Sequence, residues 1–290
     1  MDLLPPLLAL AAAAIFGSVV HLQQLGLDDT DGLTGSLIPV GTVAVGFWLF
    51  APLYMDLGDW VTRAALLFAV CGLVFPALAQ RLQVAAIHRV GPSLSASVGA
   101  FAPVFAVVPA VVILGEPFGL VPAVGLALMI GALVASTGVR VTGGWHVAAL
   151  LLPLGAAAAR GFTQPIAKAG LIELPDPAFA TLVMATVSTI VLAAMTLVSP
   201  RRRTLFRYRP GMMWFAASGV ANGVGILALN AAIGYGGVVI AAPLATTTPL
   251  WALLYGALIF RREKLHVHHG IVAVLVAIGA VLVVSGGAEP

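Results

Sequence analysis

Ten apolar stretches, separated by short polar or charged segments, dominate this chain. Each has roughly the 20 residues that an α-helix needs to cross a bilayer, and such continuous runs do not fit the alternating pattern of barrel strands. With 61% hydrophobic and only 9% charged residues, the chain lacks the polar side chains that a water-facing surface requires. We predict an all-α integral membrane protein with ten transmembrane helices. Their predicted ranges are 3–24, 33–54, 62–82, 90–114, 118–138, 145–170, 178–199, 211–234, 237–260 and 266–286.

One passage of the chain occurs twice. "AAIHRVGPSLSASVGAFAP" at 85–103 and "AAIGYGGVVIAAPLATTTP" at 231–249 begin with the same three residues, share a glycine and end on the same proline. Two further pairs of segments match in the same order, with nearly the same offset: 7–17 with 151–161, and 130–138 with 278–286. The matches indicate that one structural unit is duplicated.

The duplication predicts two five-helix repeats, 1–143 and 144–290. Because five is an odd number, the second repeat enters the membrane from the side opposite to the first. This arrangement of inverted repeats is typical of secondary transporters, whose substrate site lies near the midplane between the repeats.

Several local patterns resemble the drug/metabolite transporter superfamily, EamA type. They are "FGS" at 16–18 in the first helix, the long segment 85–119, and "IGALVASTG" at 130–138, which closes the first repeat. Glu116 in "LGEP" precedes the fifth helix, and Glu263 in "RREKL" is its less similar copy in the second repeat. The resemblance covers nearly the whole chain. It implies a ten-helix transporter that moves amino acids, their derivatives or drugs, mostly outward, and it implies no particular substrate.

The charges predict how the chain is oriented. Nearly all Lys and Arg residues fall in the loops that follow odd-numbered helices, so the positive-inside rule places those loops in the cytoplasm and both termini outside. The family resemblance implies the opposite orientation, and both remain open at this point. The expected location is a bacterial inner membrane, which the chain crosses many times.

Arg160 is predicted near the middle of the sixth helix, and Gln164 follows one turn later on the same face. The family's usual first-helix tryptophan is replaced by Phe16 in the first repeat and by Arg160 in the second. All 11 Asp and Glu residues fall in loops, at helix ends or at the termini. Two interpretations follow. Arg160 binds the carboxylate of a substrate, or it bonds to backbone carbonyls and water.

Other polar and aromatic residues are candidates for the same site. Asn222 and Asn230 lie eight residues apart on the eighth helix, where an amide can bind a polar solute or join two helices. Thr247 lies in a run of three threonines before a proline. The predicted substrate-binding residues are Arg160, Gln164, Asn222, Asn230, Thr247, Phe16, Phe101 and Trp251.

Glycine and proline recur at matching places in the repeated passage. Gly91 and Gly237 open the fourth and ninth helices, and Pro103 and Pro249 interrupt them. Because proline has no backbone N–H, each should bend its helix. The bends are either hinges for alternating access or passive kinks that improve packing.

The sequence contains no nucleotide-binding, metalloprotease or nucleophile-elbow motif, so we expect neither an enzyme nor a bound cofactor or metal. We predict a secondary transporter, an exporter or facilitator of small polar or carboxylated metabolites resembling amino acids. It would follow its solute's own gradient, because no carboxylate is predicted at membrane depth. The alternatives are a lipid-head-group flippase or an intramembrane enzyme acting on lipid-linked substrates. The expected partners are a small-molecule substrate and the lipid bilayer, without nucleic acid, and the protein would be a monomer or homodimer.

Overall fold

A computed structural model describes residues 3–27, 32–79, 82, 86, 89, 98–136, 150–198, 209–259 and 267–286. Within these ranges the chain forms ten helices and no strand, which confirms the predicted all-α membrane fold. The helices are α1 (Leu4–Leu27), α2 (Gly32–Phe50), α3 (Arg63–Leu78), α4 (Ala102–Leu114), α5 (Leu120–Ser136), α6 (Leu151–Glu173), α7 (Pro177–Val198), α8 (Gly211–Gly236), α9 (Val238–Leu258) and α10 (Val267–Gly286).

The helices run alternately in opposite directions, so the start of α1 and the end of α10 lie at one end of the bundle, here called the terminal face. At this face the start of α1 packs against the end of α8, and the start of α5 packs against the end of α10. Asp176 caps α7 by accepting hydrogen bonds from two backbone N–H groups, and Thr62 caps α3. These polar caps satisfy the first backbone N–H groups of α7 and α3 at the terminal face.

The packing of the helices repeats between the two halves. Helix α1 packs against α8 and α9, and its counterpart α6 packs against α3 and α4. Likewise α2 packs on α8 while α7 packs on α3, and the remaining large contacts join α2 to α7 and α5 to α10. Exchanging the two sets of five helices therefore reproduces the same contacts, as expected for inverted repeats.

Glycines make these contacts close, and they occur in matched pairs. A Cβ on Gly17 would lie 2.7 Å from the Trp251 side chain of α9, and its counterpart Gly161 contacts the α4 backbone in the same way. A Cβ on Gly72 would lie 2.6 Å from Met184 O, and one on Gly219 would lie 2.6 Å from Pro39 O. Small residues allow close backbone approach, which stabilises helix pairs in lipid.

The core is densest toward the terminal face. Phe68 and Phe179 are fully buried there with their ring centroids 6.3 Å apart, and Trp60 packs edge-on against Phe179. Phe68 also covers Gly170 of α6, just as Phe215 of α8 covers Gly26 of α1. Further into the bundle, α9 is interrupted between Ala245 and Thr248.

Replacing Gly219 with alanine should destabilise the bundle, because the added Cβ overlaps the backbone of α2. Overpacking of this kind costs about 1–3 kcal/mol. We expect the Tm of the detergent-purified protein to fall by several degrees. Gly131→Ala is the matched control, since no described atom lies within 4 Å of the Cβ position there. Equal Tm values for the two variants would contradict the packing account.

Candidate functional site

A cavity of about 520 Å³ lies in the middle of the bundle, between the two halves of the chain. Helices from both repeats surround it, and Pro103 in the first turn of α4 and Pro249 of α9 both line it. Its lining consists of Phe16, Phe75, Gly99, Ala100, Ala102, Pro103, Leu133, Arg160, Thr163, Gln164, Ala167, Met184, Asn222, Ile226, Leu229, Asn230, Ile233, Ala242, Ala245, Thr246, Thr248 and Pro249.

The polar groups of this cavity come from one repeat. The first repeat contributes only apolar residues, glycine and proline to the described lining. All the polar side chains come from the second repeat: Arg160, Thr163, Gln164, Asn222, Asn230, Thr246 and Thr248. We call these side chains of α6, α8 and α9 the polar wall; the lining that the first repeat supplies is apolar and includes two phenylalanines.

Helix α6 carries the charged part of the polar wall. A Cβ on Gly99, just before α4, would lie 3.5 Å from Nη2 of Arg160, so the guanidinium lies beside the start of α4. The buried Oε1 of Gln164 accepts no hydrogen bond from any described residue. An arginine in the middle of a membrane-spanning helix costs roughly 2.5–3.5 kcal/mol to insert, so such a residue usually faces a cavity or a partner.

Helix α8 contributes two amides that differ in their surroundings. The Nδ2 of Asn230 donates to Oγ1 of Thr181 on α7 at 3.0 Å, and only 3% of Asn230 is exposed. Asn230 thus joins two helices as well as lining the cavity. Asn222 is half-buried, two turns nearer the start of the helix. The structure shows the interhelical contact of Asn230, and its binding of a solute stays a prediction.

Helix α9 is bent where Pro249 cannot donate a hydrogen bond to Ala245. The hydroxyls of residues 246–248 donate to the carbonyls three residues earlier, at 2.5–2.8 Å. Thr248 thereby satisfies the Ala245 carbonyl that the proline leaves without an N–H donor. These hydroxyls have used their only hydrogen, so they can offer a ligand acceptor lone pairs alone.

Five of the eight predicted binding residues lie in the cavity lining and three do not. Thr247 is buried on the far side of the bend, although its two neighbours face the cavity. Phe101 is 43% exposed at the side of the bundle. Trp251 packs against Gly17 of α1 and is 6.4 Å from the ring of Tyr255. The structure therefore does not place these three side chains at the cavity.

The four predicted hinge residues also fall in different places. Pro103 lines the cavity in the first turn of α4, and Pro249 lines it at the bend of α9. Gly237 forms the corner between α8 and α9, with a φ of 90° that L side chains rarely adopt. Gly91 lies outside the described residues.

Phe75 is a lining residue that the sequence did not predict, and it reaches the cavity because the backbone of α3 is not helical there. Its φ and ψ are −133° and 129°, immediately before Pro76. A residue preceding proline is biased toward extended backbone, so Pro76 was the available signal. Thr163, next to Gln164 on α6, was missed as well, although it lies on the same helix face as Arg160.

Two charged residues hold the corner between α8 and α9 at the terminal face, and we call this group the corner clamp. The carboxylate of Glu116 accepts hydrogen bonds from the N–H groups of Val238 and Val239, both at 2.9 Å. The Nζ of Lys168 donates to the carbonyls of Ile233 and Gly234, both at 3.0 Å. An anion at a helix N-terminus and a cation at a helix C-terminus are both favourable.

The corner clamp lies directly above the cavity. Lys168 follows the lining residue Ala167, and it binds the carbonyl of Ile233, which is also a lining residue. Gly237 is needed at the corner, because a Cβ there would lie 3.0 Å from the Glu116 carboxylate. The clamp joins the α4–α5 connection of the first repeat to α6, α8 and α9 of the second.

Comparison with known proteins identifies the same duplicated unit. The sequence model of the EamA-like transporter family matches residues 3–138 and again residues 147–285. No curated protein matches this sequence. A solved structure titled only "Crystal structure of protein" superimposes with a TM-score of 0.77, covering 96% of this chain and 95% of its own, at 14% sequence identity. At this identity the likeness shows the fold alone.

Glu116→Gln should loosen the corner clamp, because the neutral carboxamide has one acceptor oxygen for two N–H groups. Losing a charged hydrogen bond costs roughly 1.5–3 kcal/mol. To measure access from the terminal face, Ala167→Cys is introduced into the Cys71→Ala protein, so that position 167 carries the cysteine to be labelled. We expect Glu116→Gln to raise the rate at which a membrane-impermeant thiosulfonate labels this cysteine about tenfold.

Glu173→Gln is the control for that experiment. Glu173 lies at the same face, where its ion pair with Arg63 at 3.2 Å is exposed and should contribute little. If Glu173→Gln raises the labelling rate as much as Glu116→Gln does, or if neither changes it, the corner clamp does not close the cavity.

Proposed function

Because the chain belongs to the EamA-like transporter family, we propose that it carries small carboxylate-bearing metabolites across the membrane by alternating access. The observation that carries this proposal is the central cavity with Arg160 on its polar wall. A volume of about 520 Å³ lies within the range of small-molecule sites. The guanidinium supplies parallel N–H donors that match the two oxygens of a carboxylate.

The bends and the corner clamp support the alternating-access part of the proposal. A solute at Arg160 leaves through the terminal face only when the corner clamp opens and α8 and α9 move apart. Pro103 and Pro249 interrupt the backbone hydrogen bonds of α4 and α9 beside the cavity, where a change of bend costs least. In this proposal they are hinges, and Gly237 absorbs the rotation at the corner.

We propose a facilitated carrier or exporter in a bacterial inner membrane, driven by the solute's own gradient. Among the described lining residues there is no carboxylate and no histidine. His21 is buried outside the lining, with its Nε2 2.7 Å from Ala252 O of α9. That contact joins α1 to α9 and supports a packing role for His21 in place of a proton-binding role.

Arg160→Ala should abolish transport of a carboxylate solute while leaving the fold intact, because the anion loses its charged partner at the midplane. The measurement is exchange of radiolabelled phenyllactate in proteoliposomes, with Tm and gel-filtration profile as checks on folding. We expect at least about a 30-fold loss of rate, since removing one partner of a desolvated charge pair costs 2–5 kcal/mol or more. Arg160→Lys should restore part of the rate.

Arg63→Ala is the control for charge removal, since Arg63 is exposed at the terminal face and remote from the cavity. It should exchange phenyllactate at the rate of the unmodified protein. A folded Arg160→Ala variant that exchanges phenyllactate normally would contradict the proposal. So would proteoliposomes in which labelled lipid moves between leaflets and no carboxylate solute moves, since this is the behaviour of a flippase.

A further inference from the structure

The described lining of the cavity contains a cation and no anion. Arg160 is the charged residue of the described lining. Residues 80–97, between α3 and α4, contain no Asp or Glu in the sequence, and neither do residues 137–149 or 199–208. The five acids of the described ranges lie at the terminal face, in connections or at a helix end: Asp56, Asp59, Glu116, Glu173 and Asp176. The other six lie at the termini or in 28–31 and 260–266.

The neutral part of the polar wall is rich in acceptors. The three lining threonines donate their hydroxyl hydrogens to carbonyls of their own helices: Thr163 to Arg160, Thr246 to Pro243 and Thr248 to Ala245. Their lone pairs remain for a ligand. The buried Oε1 of Gln164 is a further acceptor on this wall. A ligand that satisfies these oxygens must bring a donor, an N–H or an O–H.

We propose that the substrate is an amphipathic monoanion that combines one carboxylate, one neutral N–H or O–H donor and an apolar body, as N-acylamino acids and 2-hydroxy acids do. This inference rests on the proposed function and names its substrate class. The carboxylate binds Arg160, the neutral donor binds the threonine and Gln164 oxygens, and the apolar body packs between Phe16, Phe75 and Leu133.

Charge balance separates this class from free amino acids. A monoanion neutralises the cationic cavity, whereas a zwitterion leaves a net positive charge in apolar surroundings. Burying an ammonium without a counter-charge is costly, and the carbonyl that Pro249 leaves without an N–H donor already accepts from Thr248. A neutral donor makes the same hydrogen bonds without that cost.

Three compounds with one benzyl side chain test the proposal: phenylalanine, N-acetylphenylalanine and phenyllactate. Their Kd values are measured by calorimetry on the detergent-purified protein at pH 7, and the inhibition of labelled phenyllactate exchange is measured in proteoliposomes. We expect N-acetylphenylalanine and phenyllactate to bind at least about tenfold more tightly than phenylalanine, a difference of 1.4 kcal/mol. Arg160→Ala should abolish the binding of both monoanions.

Asn222→Asp adds a carboxylate to the cavity and should shift the preference toward phenylalanine relative to N-acetylphenylalanine. Gln24→Glu adds the same charge on the exposed side of α1 and should leave the preference unchanged. Phenylalanine that binds as tightly as N-acetylphenylalanine, through Arg160, would overturn the substrate class and leave the proposed carboxylate carrier intact. If none of the three compounds binds, both proposals fail.

Discussion

Close approach of helix backbones at glycines is the contact on which the rest of this structure depends. In lipid, apolar side chains gain little by leaving their surroundings, so helices associate through tight packing and hydrogen bonds. Gly17 and Gly161 bring α1 onto α9 and α6 onto α4, and Gly72 and Gly219 make the equivalent pair of contacts. Each contact occurs twice, once with the glycine in the first repeat and once with the glycine in the second. The two repeats are therefore held together symmetrically around the middle of the bundle.

The cavity forms where this packing is interrupted, and Arg160 gives its described lining a positive charge. Pro103 at the start of α4 and Pro249 within α9 interrupt regular helix beside the cavity, and the two repeats line the cavity with different side chains. The two repeats therefore share a backbone arrangement but differ in the side chains that line the cavity. The first repeat supplies apolar side chains, and the second supplies both Arg160 and neutral acceptor oxygens. The proposed carrier would therefore bind the anionic end and the apolar end of one solute.

Helix number, helix positions and the matching of the repeats were predictable from the sequence, because apolar length, glycine and proline act locally. The cavity lining was predictable only in part. Thr247 points away because the bend tightens the helical turn and rotates the successive side chains. Phe75 points inward because α3 loses helical geometry before Pro76. In the corner clamp, the hydrogen bond from Val238 N–H to Glu116 joins residues that are 122 positions apart in the sequence. No local sequence pattern predicts such a pairing.

The central claim is that a carboxylate binds Arg160 inside this cavity. Crystals of the protein grown with 4-bromophenyllactate test it directly, because the bromine gives an anomalous signal that locates the ligand. The account predicts a bromine peak beside Phe16 and Phe75, with the carboxylate density on the Arg160 guanidinium. A bromine peak elsewhere in the protein, with an empty central cavity in crystals of protein that exchanges the same compound, would contradict it.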